Sequence, residues 1–250
     1  MQRSLYVCFA SILLSSTSFG FDALQDALAE APPIVRVEED WEIMIAEPLP
    51  EANLPQIVTV FGPTDASFGT HTMFEINHGT LPQFTEGGMQ LQVWWGDFLV
   101  GYRQQFAPTE LSFNSEIIRY TTVTRLHDDH LHMEVVNGHS ATFGQFGNSS
   151  GSDDGGFLSQ RLYTFRDDLN PYDPYNSLRH SRVTYGANRV NRFVRKSIRF
   201  YSEEGLYIAD NTRRYVHRLN ADIEYEANGT GGYGESSSTD TSGTSGTSSP

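Results

Sequence analysis

The stretch from Met89 to Arg103 constrains the fold of this chain more than any other. It reads Met-Gln-Leu-Gln-Val-Trp-Trp-Gly-Asp-Phe-Leu-Val-Gly-Tyr-Arg. Gly96-Asp97 suits a two-residue turn, because glycine accepts the positive φ that hairpin turns demand, and the flanking residues alternate with the period of two of a half-buried strand. Pairing outward from that turn sets Met89, Leu91, Val93, Trp95, Phe98, Val100 and Tyr102 on one face, expected to be the core face. The other face receives Gln90, Gln92, Trp94, Leu99, Gly101 and Arg103. A tryptophan among amides, with Gly101 expected opposite Gln92, predicts an open shelf whose candidate ligand-binding residues are Gln90, Gln92, Trp94 and Arg103. If loops or the amino-terminal segment cover that face, it is instead a second core face.

Strand signals recur on both sides of this hairpin. Ile34–Val37, Trp41–Ile45, Gln56–Phe61 and Thr72–Asn77 precede it, and Ile117–Leu126, Leu131–Val136, Phe157–Phe165, Arg182–Tyr185, Val190–Tyr201 and Leu206–Ala209 follow. All are short, rich in β-branched or aromatic residues, and separated by Gly, Pro, Asn and Asp. Phe21–Ala31 is a helical candidate stopped by Pro32-Pro33. An all-β, antiparallel two-sheet β-sandwich of about eleven or more strands is the expected architecture. One loop, Arg166–Asn176, holds two prolines and several acids that argue against regular structure, and its Tyr172 and Tyr175 are expected to pin it to the domain, with stacking on a sugar as the alternative.

The ends carry different information. Residues 1–20 have a basic start at Arg3, an apolar run from Leu5 to Leu14 and small residues before Phe21, the pattern of a secretory signal peptide. An exported protein of the extracellular space or of a bacterial periplasm or envelope is therefore expected, with no membrane span. The single cysteine, Cys8, lies inside that segment, so the mature chain would use neither disulfides nor thiolate chemistry. From about 228 to 250 the chain is Gly, Ser and Thr with little apolar content, and is expected to be a disordered tail behind a 21–227 sandwich domain.

The net charge of −14 is unevenly spread. Phe21–Glu110 holds fourteen acids against Arg36 and Arg103, whereas Arg179–Arg218 holds ten bases against Glu203, Glu204 and Asp210. Facing or alternating acidic and basic strands would explain this as solvated surface. An arginine patch for sulfates, uronates or phosphates would explain it as a binding surface. Acidity and export argue against nucleic acid.

The segment His130-Leu131-His132-Met133-Glu134-Val135-Val136-Asn137-Gly138 resembles the strand-then-turn pattern of concanavalin A-like and laminin G-like jelly rolls. That resemblance implies two stacked sheets with a concave face that often binds glycans, sometimes with calcium at the rim, and it carries over no activity. The oxygen-rich loop at 147–156 is the candidate for such a calcium ion, without the spacing of an EF-hand. Glu38, Asp40 and Glu42 form an E-x-D-x-E run that resembles the catalytic strand of retaining jelly-roll glucanases, in which paired carboxylates about 5 Å apart act as nucleophile and general acid. Here the run lies near the start of the mature chain and nothing else of that pattern follows.

His130, His132 and Glu134 alternate on one strand face and are the candidate zinc set, with His127 a further ligand. If Asp128-Asp129 is a hairpin tip, however, Arg125 stands across from His132 and repels a cation. No G-x-S-x-G elbow, P-loop or dinucleotide fingerprint occurs, and no cofactor is expected. These readings favour a non-catalytic binder of glycan or acidic polysaccharide. A structural or interaction domain of the envelope and a retaining glycosidase are the alternatives.

Overall fold

The chain turns its backbone into two antiparallel sheets, as expected from the alternation. The computed structural model describes residues 20–46, 55–62, 70–77, 88–106, 115–141, 143–147 and 158–219. These fall within one compact unit that ends at Leu219. The signal-peptide, calcium-loop and tail readings lie wholly or largely outside the described residues.

In chain order the elements are α1 (Phe21–Ala29), β1 (Ile34–Ile45), β2 (Gln56–Phe61), β3 (Thr70–Asn77), β4 (Gly88–Trp95), β5 (Phe98–Phe106), β6 (Ile117–His127) and β7 (His130–Ser140). β8 (Gly144–Phe146), β9 (Ser159–Tyr163), α2 (Pro174–His180), β10 (Arg182–Tyr185), β11 (Val190–Ser202), β12 (Gly205–Asp210) and β13 (Arg214–Arg218) follow. The larger sheet runs β12-β11-β1-β6-β7-β8, with β13 also on β11 and β9 also on β7. The smaller runs β10-β2-β3-β4-β5.

Their inner faces meet as the core. Trp41, Ile43, Tyr120, Met133, Val135 and Phe193 of the larger sheet bury against Ile57, Phe61, Phe74, Ile76 and Leu91 of the smaller. Phe74 meets Tyr120 edge-on at 5.0 Å, a favourable aromatic geometry. The Tyr120 hydroxyl bonds across the gap to Thr59 Oγ1. Leu24 and Leu28 place one side of α1 in the same core.

Several boundaries differ from the sequence reading. Ile34–Val37 and Trp41–Ile45 are one strand, because the intervening Glu38, Glu39 and Asp40 all find partners on β11 and the ladder to β6 runs through unbroken, although the pairing with β11 slips between Asp40 and Trp41. Asn137-Gly138, which had read as a turn, is a bulge inside β7, with Asn137 at φ 54° and the register to β6 shifted there. Gly138 is required by packing as well: a Cβ would stand 2.2 Å from the Phe146 ring.

The proline-rich loop is ordered at its end by Asp173, whose side chain caps α2 at the Tyr175 and Asn176 amides. Tyr172 is fully buried and does pin the loop, whereas Tyr175 is exposed. Asn170 staples the start of β1 to the end of α1: its Oδ1 accepts from the Ile34 amide at 2.8 Å, and its Nδ2 donates to Leu28 O of α1 at 3.3 Å and to Ala31 O just beyond it at 3.0 Å.

A charged cluster joins this loop to the core. Glu39 points inward beside Trp41, and both it and Arg195 are about 1% exposed. Arg195 Nη1 meets Glu39 Oε1 at 2.7 Å and also donates to Pro174 O at 2.7 Å and Ser177 Oγ at 2.9 Å. Ser177 donates to Glu39 Oε1 at 2.7 Å, and the Tyr172 hydroxyl also bonds to Glu39. Burial raises the Glu39 carboxyl above its ordinary 4.5, against the pull of Arg195 and Ser177.

Candidate functional site

Gly96-Asp97 is the hairpin turn, with Gly96 at φ 55°, and β4 and β5 flank it as expected. The pairing slips by one residue between Val93 and Trp94, leaving Val100 as the extra residue of a bulge. Gly101 therefore pairs with Val93 rather than Gln92, Tyr102 with Gln92, and Arg103 with Leu91. Because directly paired residues share a face, the slip changes the side of three residues. Tyr102 joins the Trp94 face, and Gly101 and Arg103 leave it.

The expected shelf is thus built differently. Gln90 and Gln92 are buried at 5% and 6% exposure, so they form a floor and not an open surface. β2 and β4 are buried on both faces apart from the end of β4, which favours the covered-face alternative for this part of the sheet. Only near the hairpin does the face open. Trp94 is half-buried there, with its neighbours Leu99 and Tyr102 exposed. His71 lies directly across from Trp94 on β3, and the two rings stack at 6.3 Å with planes 6° apart.

Hydrogen bonds hold this ring from below. Trp94 Nε1 donates to Gln92 Oε1 at 2.8 Å, and Gln92 Nε2 donates to Gln90 Oε1 at 2.5 Å and to Glu75 Oε2 at 3.3 Å. Burial raises the Glu75 carboxyl above 4.5, and the Arg182 charge opposes it. Burial lowers the His71 imidazole, helped by His180 and opposed by Asp97. His71 is therefore neutral near pH 7 and presents an uncharged ring face to the indole.

The other predicted face also needs correction. Met89, Leu91 and Val93 are buried as expected, but Trp95 is 64% exposed and Phe98 78%, and Val100 and Tyr102 are exposed too. Alternation assigns a side of the sheet, not a depth; the hairpin tip runs past the core. Gly101 leaves room inside for Gln160 of β9, whose Oε1 would come within 2.9 Å of a Cβ there. Tyr163 and Phe165, at the end of β9, are exposed as well and meet edge-on at 5.0 Å.

Glu38, Asp40 and Glu42 share the outer face of the larger sheet, each in an ion pair. Glu38 Oε2 takes Arg199 Nε and Tyr201 Oη at 3.1 and 3.0 Å. Burial alone would raise Asp40, but hydrogen bonds from Arg199, Ser197 and Thr121 outweigh it and hold the carboxyl below 3.8. Glu42 is likewise raised by burial yet held below 4.5 by Arg192 and Arg119, at 2.8 and 3.0 Å. A general acid needs a raised carboxyl. Asp40 and Glu42 are pushed the other way, and the acidic strand faces the basic ones as charge pairing implied.

His130, His132 and Glu134 do alternate on β7, and Arg125 stands directly across from His132. Arg161 stands across on the other side, from β9. Burial, then Arg161, Arg125, His127 and His130, lower the His132 imidazole to about 4. Among the described residues no group of three His, Cys, Asp or Glu side chains is arranged to hold a metal ion, so the zinc set is not assembled.

Sequence reading missed His71, Glu75 and Tyr102. The alternation of β3 places His71 and Glu75 on one face, but their pairing with Trp94 and Gln90 depends on a register no local signal reveals. Among the described residues no helix is long and apolar enough to cross a membrane. No protein-family model matches the chain, and no curated protein matches it either.

Proposed function

We propose that this chain is an exported, non-catalytic β-sandwich that binds glycan on the open end of its smaller sheet. The observation that carries this reading is the Trp94 indole, partly exposed, stacked parallel to neutral His71 and flanked by exposed Leu99 and Tyr102. Sugar rings present C–H faces that pack on such rings, while their hydroxyls need nearby polar groups. Arg103 is turned off this face, Asp97 stands at the turn and Glu75 lies beneath, so the local charge favours a neutral glycan over an acidic one. Ion-paired Glu38, Asp40 and Glu42 lend the glycosidase alternative no support.

A screen of the full chain against immobilised neutral and acidic polysaccharides, followed by calorimetry on the best soluble oligosaccharide, tests this. Trp94→Ala and Tyr102→Ala are each expected to weaken binding about tenfold or more while far-UV and near-UV circular dichroism stay native. Unchanged affinity in both folded variants, or retention of the chain by no glycan, refutes the reading. The second reading, an interaction domain of the envelope, is favoured by two exposed aromatic pairs, Trp95 with Phe98 and Tyr163 with Phe165, since exposed apolar surface marks contact sites. It predicts that Trp95→Ser and Phe98→Ser abolish association in a pull-down of envelope proteins and leave glycan retention at zero in every variant.

A further inference from the structure

An indole N–H can only donate. Trp94 Nε1 therefore requires the oxygen end of the Gln92 amide, which it finds at 2.8 Å. That choice turns the Gln92 amine the other way, toward Gln90 Oε1 at 2.5 Å and Glu75 Oε2 at 3.3 Å. All three residues below the indole are buried. An amine left there without acceptors would be a buried unsatisfied donor, so the orientation of the Trp94 partner depends on what lies beneath it.

We infer that Glu75 is a positioning residue of the shelf: together with Gln90, the nearer acceptor, it accepts from Gln92 and so fixes the amide that holds the Trp94 indole, and its charge state sets how firmly the ring is held. This rests on the reading of Trp94 as the sugar platform. Glu75 does not touch the ligand in this scheme and acts only through Gln92.

The charges around Glu75 can be named element by element. Its own strand carries Met73 and His71 on the same face, β4 offers neutral Gln90 and Gln92, and β2 places Val58 directly across. β10 brings Arg182, whose charge favours the carboxylate. Farther out, His180 of α2 and Asp97 of the turn act on His71. Burial outweighs Arg182, so Glu75 takes up its proton at a higher pH than an ordinary carboxylate does. Protonation removes the charge that strengthens the Gln92 contact and turns one acceptor oxygen into a donor. The indole is then held less firmly as pH falls.

The test needs no sugar. The three tryptophans give three indole N–H resonances, and a Trp94→Phe variant assigns the one of interest. In the wild-type chain the Trp94 resonance is expected to follow a titration with its midpoint above 4.5. Glu75→Gln and Gln92→Met abolish that titration, His71→Phe retains it, and in Gln92→Met the indole proton exchanges with solvent about tenfold faster, as expected for one lost hydrogen bond. A titration that persists in Glu75→Gln combined with His71→Phe, which removes the imidazole stacked on the indole, overturns the inference; should that variant not fold, the same result in Gln92→Met with His71→Phe does so. A chain that shows the relay but binds no glycan refutes the proposed function alone. Binding through Trp94 with an indole indifferent to Glu75 refutes the relay alone.

Discussion

Replacing Arg195 with methionine isolates the buried charge that ties the α2 segment to the core. The substitution keeps much of the side-chain volume but removes the 2.7 Å contact with Glu39 and the donations to Pro174 O and Ser177 Oγ. Glu39, about 1% exposed, is then an uncompensated buried carboxylate. Breaking a buried pair from one side costs about 3–5 kcal/mol, against a total stability on the order of 5–15 kcal/mol for a domain. With a urea slope of about 2 kcal/mol/M, the unfolding midpoint should fall by roughly 1.5–2.5 M at unchanged slope.

Three controls sharpen this prediction. Arg36→Met, which removes a partly exposed pair to Glu38 at 3.4 Å, should cost less than about 1 kcal/mol. Added salt should shrink the Arg36 effect and leave that of Arg195 nearly untouched, because ions screen exposed pairs and not buried ones. The double variant Glu39→Leu with Arg195→Met should recover most of the loss, since no lone charge remains and Ser177 keeps its bond to Pro174 O. A single-variant loss below about 1 kcal/mol, or a double variant as unstable as the sum of its parts, would refute the reasoning.

The other predictions concern packing, acid stability and the shelf. Gly138→Ala should cost about 3 kcal/mol in thermal unfolding, because its Cβ meets the buried Phe146 ring at 2.2 Å and that ring is enclosed by Phe74, Tyr120 and Phe143. Gly96→Ala, in open space, should cost only the ~1–2 kcal/mol of a left-handed residue, and equal losses at both sites would sink the distinction. His132 is lowered from 6.5 to about 4 in the folded chain, so the folded state binds a proton less readily than the unfolded one, and its contribution to stability is full above 6.5 and lost as pH falls toward 4. Melting temperatures from pH 7 to 4 should therefore fall less steeply in His132→Gln than in the wild type. On the shelf, Trp94→Ala and Tyr102→Ala should weaken glycan binding whereas Arg103→Ala should not, because the bulge turns Arg103 to the opposite side.

Much of the local structure was legible because it rests on local physics. The Gly96-Asp97 turn and the alternation of Met89, Leu91 and Val93 need only turn chemistry and side-chain period. Arg125 across from His132 followed from the length of the Asp128-Asp129 turn. Errors arose where one residue of slippage changes the outcome. The bulge at Val100 exchanged Arg103 for Tyr102 on the shelf, and the Asn137-Gly138 bulge passed for a turn. Neither leaves a mark in composition or period.

By itself the sequence determined the class of fold, because alternating β-branched and aromatic runs separated by turn residues can bury their apolar faces only by stacking sheets. It also showed the acids and bases segregated along the chain, but left open whether they pair with each other or form a binding patch. Tertiary structure alone decided depth and partnership. Gln90 and Gln92 are polar and read as surface, yet they are buried; Trp95 and Phe98 are apolar and read as core, yet they are exposed. Depth depends on what lies opposite a face and where the sandwich ends, and Glu75 meets Gln92, or Glu39 meets Arg195, only through pairings between segments distant in sequence. Local free energies are nearly indifferent to those pairings, and the packing of the whole core chooses among them.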